Sequence, residues 1–174
     1  MSGHNKWSQI QRQKGASDSK RSQLFGKLSR MISAQVKVAG GDRNAVAVRS
    51  AIDKARAADM PVDTIERAIS KATEAKDLET IVYEAYGPGG VGIIIEALTD
   101  SRNRAAQEIR HILDKNGSSL GSIGSVMWAC QKVDGELTPT MTVPLSEEDG
   151  VALEKLIDEL ENNNEVQEVL TNAE

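Results

Sequence analysis

Only one cysteine, Cys130, occurs in the 174 residues, so no internal disulfide can form. That agrees with a reducing, cytoplasmic setting. The two histidines, His4 and His111, and the single thiol would leave a metal site dependent on carboxylates, and no HExxH-type spacing is present. No metal and no cofactor is expected. Two Trp, two Tyr and one Phe are too few to build a core, which must rest on Ile, Leu, Val, Ala and Met. No apolar run approaches the roughly 20 residues that span a bilayer, and the N-terminus lacks the apolar h-region of a signal peptide. Nucleophile-elbow, Walker and kinase-like patterns are also missing. These absences point away from an enzyme, a membrane protein and a small-molecule binder.

Acidic residues are nearly absent from the first forty positions. Lys6, Arg12, Lys14, Lys20, Arg21, Lys27, Arg30 and Lys37 stand there against Asp18 alone, a local net charge of +7. Residues 134–174 run the other way, with Lys155 against twelve acids, while the whole chain carries −5. A polyanion feels the local field rather than the average, so segregation of this kind points to nucleic acid despite the acidic total. Trp7, among Lys6, Arg12 and Lys14, can stack on a base while the cations meet phosphate. The bland alternative is a solvated charged face.

Residues 1–16 lack an apolar period and read as a basic arm. Leu24, Phe25, Leu28, Met31, Ile32 and Val36 recur at amphipathic helical spacing, with Gly40-Gly41 as the stop. On a wheel of about 100° per residue, Lys20, Lys27, Arg30 and Lys37 fill a separate arc about 100° wide. Arg21 projects from the apolar side, and after Asp18 the helix holds no acid. A second helix is expected over 44–58, ended by Met60-Pro61. A third is expected from Asp63, whose Asp63-Thr64-Ile65-Glu66 has capping-box spacing.

Further on, 81–86 and 91–98 read as strands around Gly87-Pro88-Gly89-Gly90. Residues 102–115 read as a helix, and 117–124 as a Gly/Ser loop. Strands are expected at 125–133 and 136–145, joined by Asp134-Gly135. Ser146 caps a helix over 147–161 with Val151 on its apolar side, and 166–170 forms a last strand. The apolar stretch Val126-Met127-Trp128-Ala129-Cys130 makes Cys130 a buried, inert thiol.

The fold class is therefore α+β. Residues 1–77 form a basic arm plus a three-helix domain. Residues 78–174 form a ferredoxin-like βαββαβ domain with an extra leading strand. Pro139 conflicts with a central place for the strand at 136–145, because it cannot donate a ladder hydrogen bond.

Gly87–Gly90 lacks the following helix and Lys-Ser/Thr pair of a phosphate loop and reads as a strand connection. Asp100 or Ser101 should cap the helix over 102–115. Arg102 and Arg104 oppose the helix dipole in its first turn, which a carboxylate or phosphate partner would offset.

Several motifs lie in order along the chain: Gly3-His4-Asn5-Lys6-Trp7, Asp18-Ser19-Lys20-Arg21, Phe25-Gly26-Lys27-Leu28, Asp59-Met60-Pro61 and Ile65-Glu66-Arg67-Ala68-Ile69. They continue with Tyr86-Gly87-Pro88-Gly89-Gly90, Leu98-Thr99-Asp100-Ser101-Arg102-Asn103-Arg104 and Gly124-Ser125-Val126. Together they resemble the YebC/PmpR family over nearly the whole length. The resemblance implies a DNA-binding transcriptional regulator. Relatives of that family include a mitochondrial translational activator of cytochrome oxidase, and bacterial members are linked to translating ribosomes. This chain departs from the family pattern at Asn5, Gln11-Arg12-Gln13 and Ser101. It also departs in length, since Lys132-Val133-Asp134-Gly135-Glu136 closes with a tight hairpin the point where the family inserts a third domain.

Three readings follow. The chain is a DNA-binding transcriptional regulator, a ribosome-associated translation factor that binds ribosomal RNA, or a protein–protein adaptor using its acidic end. For nucleic acid, the expected contacts are Lys6, Trp7, Arg12, Lys14, Lys20, Arg21, Lys27, Arg30 and Lys37. Arg102, Asn103, Arg104 and Arg110 make a second surface. Affinity should be dominated by phosphate contacts and be strongly salt-dependent.

Overall fold

A computed structural model describes residues 18–74, 77–133 and 136–174. The arm over 1–16, with Lys6, Trp7, Arg12 and Lys14, lies outside the described residues, as does the Asp134-Gly135 turn. The described residues divide into two compact units, 18–79 and Thr80–Glu174.

The first unit holds three helices: α1 (Asp18–Val38), α2 (Val46–Ala57) and α3 (Val62–Ser70). Leu28, Ile32 and Val36 recur every four residues on one face of α1. They meet Val48, Ala51 and Ala55 of α2, Met60, Ile65, Ala68 and Ile69 around α3, and Ala72 beyond it. The alanines let the helices approach closely enough for the Ser33 hydroxyl on α1 to donate to the Ala68 carbonyl at 2.7 Å. Gly40 and Gly41, at φ 61° and 90°, turn the chain out of α1, and the Gly41 N–H closes back on the Val36 carbonyl at 2.9 Å.

Two details depart from the sequence reading. The third helix starts one residue early, with Pro61 at its N-cap and no side-chain cap, so Asp63 sits inside the first turn and not at the cap. Pro61 sets the start because its fixed φ suits a helix entry and it has no N–H to satisfy. Leu24 is 44% exposed and does not join the core.

The second unit is built on a four-stranded sheet. Its strands are β1 (Glu79–Tyr86), β2 (Gly92–Thr99), β3 (Ser119–Leu120) and β6 (Val166–Thr171). They lie in the order β3-β1-β2-β6. The connection between β1 and β2 is too short for anything but a hairpin, and the Gly87 N–H donates to the Val91 carbonyl at 2.9 Å across it. β2 pairs antiparallel with β6, with an irregularity at Glu96/Ala97. It is buried along almost its whole length.

On one face of the sheet, α4 (Arg102–Lys115) contributes Ile109 and Leu113, and α5 (Glu147–Glu161) contributes Leu153, Leu156, Ile157 and Leu160. These close over Ala85, Ile93, Ile95, Ala97, Val166 and Val169. Ser146 caps α5 as its spacing implies, accepting the Asp149 N–H at 3.1 Å. The acids Glu147, Glu148 and Asp149 fill the first turn, where the helix dipole favours them. Replacing Ser146 with Ala should cost about 1 kcal/mol in a urea melt. Val151 is exposed and not on the apolar side of this helix.

The α+β class holds, with a different strand arrangement inside it. The expected strand over 136–145 is only β5 (Glu136–Pro139), and 125–133 shortens to a 3-10 turn, Met127–Ala129, followed by β4 (Cys130–Val133). These two pair with each other in a separate ribbon, ending at Cys130 opposite Pro139. The ferredoxin-like arrangement would place the 136–145 strand beside β2, and the leading strand β1 occupies that place instead. Pro139 gives the physical reason, since a residue without an N–H is tolerated at the end of an edge strand and not in a sheet centre. The segment beyond Pro139 runs on to the end of β6, where Val143 and Ala173 form an isolated parallel bridge.

Among the described residues, no helix is long and apolar enough to cross a membrane, and no group of three or more His, Cys, Asp or Glu could hold a metal ion.

Candidate nucleic-acid interface

α1 carries five of the expected cations. Lys20 and Arg21, in its first turn, are exposed, while Lys27, Arg30 and Lys37 are half-buried. Ala34 falls in the middle of the cationic arc and is 5% exposed, so the second half of that arc is not a bare solvated face. Lys37 pairs with Asp77 at 2.9 Å. The acid missing from the helix itself is thus supplied from beyond α3, and periodicity could not reveal it. Arg43 pairs with Glu66 at 3.0 Å in the same unit.

Arg102, Asn103, Arg104 and Arg110 are all exposed on α4, and the structure divides them. Asn103 and Arg110 are seven residues apart and share a face. Arg104 turns elsewhere. Its Nε donates to Glu165 Oε1 at 3.1 Å, and its terminal nitrogen reaches the same oxygen and Asp100 Oδ1, the latter at 2.5 Å. The two carboxylates raise the Arg104 pKa above its ordinary value, Glu165 more than Asp100. Glu165 is only 6% exposed, so Arg104 compensates a buried charge. This is the carboxylate partner that the first-turn arginine called for. Ser101 provides the cap, accepting the Arg104 N–H at 3.4 Å.

No motif in the sequence signals what covers the other face of the sheet. Glu84, on β1, is 6% exposed and accepts three backbone N–H groups: Gly124 at 2.5 Å, Val126 at 2.6 Å and Met127 at 2.7 Å. Burial alone would raise its pKa, but the three donors outweigh burial and hold the carboxyl below its ordinary value. Gly124 makes the fold-back possible at φ 84°. The loop over 121–129 is thereby clamped onto the sheet.

The same clamp corrects the reading of the apolar stretch. Val126 and Ala129 are buried, but Trp128 is 67% exposed, and Cys130 is only partly buried. The Cys130 thiol is pushed up by burial and by the Glu84 charge, which makes a reactive thiolate scarce. The Trp128 indole N–H and the Tyr86 hydroxyl both donate to the Ser125 carbonyl, at 2.8 and 2.9 Å.

Residues 5–75 match the TACO1/YebC protein N-terminal domain, and residues 78–135 match the TACO1/YebC second and third domain. A protein of Petrotoga mobilis named "Probable transcriptional regulatory protein" is 42% identical over the whole chain and 71% of its own length. A Geobacter sulfurreducens protein of the same description is 43% identical over 98% of the chain and 70% of its own length. A Treponema pallidum protein reaches 52% over 74% of the chain, but only 54% of its own length is covered. The crystal structure of a conserved hypothetical protein from Aquifex aeolicus superposes with a TM-score of 0.78 at 27% identity, covering 93% of this chain and 95% of that one. The motif order, the fold and these matches agree: the chain belongs to the TACO1/YebC family.

Proposed function

We propose that this chain is a non-enzymatic regulator of gene expression that binds DNA through residues 1–40. One observation carries the reading: a net +7 is confined to those forty residues in a chain of net −5. The relatives named transcriptional regulatory proteins support a role in transcription. Lys20 and Arg21, exposed at the start of α1, meet phosphate first. Lys27, Arg30 and Lys37 add field from half-buried positions, and Lys6, Trp7, Arg12 and Lys14 of the arm extend the contact. Arg102, Asn103 and Arg110 form the second surface. Arg104, expected with them, is instead paired with Asp100 and Glu165. The acidic residues of 134–174 repel phosphate and so leave contact to the basic segment and this second surface.

Crosslinking in cells, followed by sequencing of the bound nucleic acid, tests the target. Discrete promoter fragments are expected. A recovery dominated by ribosomal RNA would overturn DNA as the target and favour the translation-factor reading. In vitro, the logarithm of the binding constant should fall linearly with the logarithm of salt concentration, by about 0.9 per phosphate neutralised. A flat salt response would remove the phosphate-binding surface altogether.

A further inference from the structure

The core of the second unit lies on one face of its sheet. Ile93, Ile95 and Ala97 point into that core, so Ile94, Glu96 and Leu98 of β2 point to the opposite face. Glu168 and Leu170 of β6 stand directly across from Glu96 and Ile94. Ile94 and Leu98 are only 3% and 4% exposed, yet neither belongs to either core. The clamped loop closes the Gly92 end of this face, where Val126 sits so near that a Cβ on Gly92 would meet it at 2.5 Å. Leu98 stands six residues further along β2, about 20 Å away, and is as well covered. Glu96 and Glu168, directly opposite each other, repel. An apolar floor beneath that pair of carboxylates fits a cover that is cationic and apolar together.

We infer that the basic arm of this chain, residues 1–16, docks on that face and leaves it when nucleic acid takes the arm. Charge and length name the occupant. The arm holds Lys6, Arg12 and Lys14 with no acid among them, and Trp7 and Ile10 for the apolar floor. Sixteen extended residues reach about 50 Å, against a radius of gyration of about 13 Å for a unit of about 100 residues. Tethering makes the contact intramolecular and raises the effective concentration of the arm to the order of mM. Nucleic acid is the wrong occupant for this face, since Glu96 and Glu168 repel its phosphates. The docking stands without the nucleic-acid reading. The exchange rests on that reading and makes the sheet face a competitor for the same three cations.

The test puts the photocrosslinker p-benzoylphenylalanine in place of Gln9 in the full chain and maps the crosslinked peptides by mass spectrometry. In the monomer, crosslinks should fall on Gly92–Thr99 or Val166–Thr171, and a saturating mixed-sequence DNA duplex should abolish them. Glu96→Gln/Glu168→Gln should weaken the crosslink and tighten duplex binding about two- to fivefold, the scale of surface ion pairs. Lys6→Gln/Arg12→Gln/Lys14→Gln leaves the sheet untouched and should weaken the crosslink as well. No crosslink to either strand in the folded protein would overturn the docking. So would crosslinks confined to a dimer, which would place the arm of a second copy on this face. Crosslinks that persist while duplex is bound would overturn the exchange. If the crosslink forms and no duplex binds, the docking stands while the exchange and the nucleic-acid reading fall.

Discussion

Glu84→Gln is expected to destabilise the Thr80–Glu174 unit by about 2–4 kcal/mol, because hydrogen bonds to a charged group contribute about 1.5–3 kcal/mol each and an orphaned buried donor costs about 1–3. The carboxylate serves three N–H groups with two oxygens, one at Gly124 and two at Val126 and Met127. An amide keeps one oxygen and turns an NH₂ toward at least one of those donors. Glu84→Ala, with all three donors left over, should lose more. Urea titration measures the total, and hydrogen exchange at Val126 and Met127 should rise in the variant. A change within about 0.5 kcal/mol, the range of ordinary surface substitutions, would mean that the clamp does not hold the loop.

The sign of the pH dependence follows from the direction of the shift. An unfolded Glu takes up its proton near pH 4.3, while folded Glu84 remains ionised to lower pH. Its contribution is therefore full above about pH 4.3 and is lost as the pH falls through the folded pKa. Glu159 is shifted the same way, chiefly by its hydrogen bond from Lys115, and adds in the same direction. Stability of Glu84→Gln should fall less steeply with acid than that of the parent protein. Melting curves between about pH 5 and pH 3 compare the two slopes.

The second large effect is on binding. The Lys20→Glu/Arg21→Glu double variant is expected to weaken nucleic-acid binding by tenfold or more at about 0.1 M salt. It should also flatten the logarithmic salt slope by about 2, one for each phosphate no longer neutralised. These two positions are chosen because they are exposed in the first turn of α1. Reversing Lys37 would set a second acid against Asp77 and confound binding with folding. Equal affinity and equal slope in anisotropy titrations, with an unchanged melting curve, would show α1 to be a solvated face and shift the proposal to the arm.

The helices were legible in the sequence because their signals are local. Leu28, Ile32 and Val36 repeat at helical spacing, Gly40-Gly41 releases the chain, and Ser146 caps α5 three residues before the N–H it accepts. Charge segregation was equally legible, since counting side chains needs no coordinates, and the ordered motifs carried the family. The sheet was harder, because strand partners are chosen over long separations. Pro139 signalled a conflict without saying which strand would replace the one it spoils, and that strand was β1. Exposure failed for the same reason: Trp128 sits in an apolar run but faces outward, because Glu84, more than forty residues earlier, fixes the turn that aims it.

The sequence alone thus determined the α+β class, the helices, the Ser146 cap, the family and the basic segment, because each depends on residues near one another in the chain or on simple sums over it. Tertiary structure alone decided that Asp77 reaches Lys37, that Asp100 and Glu165 engage Arg104, and that Tyr86 and Trp128 share one carbonyl. Apart from the local Asp100–Arg104 pair, those interactions close long loops. Their formation depends on how the core packs, which no local pattern records.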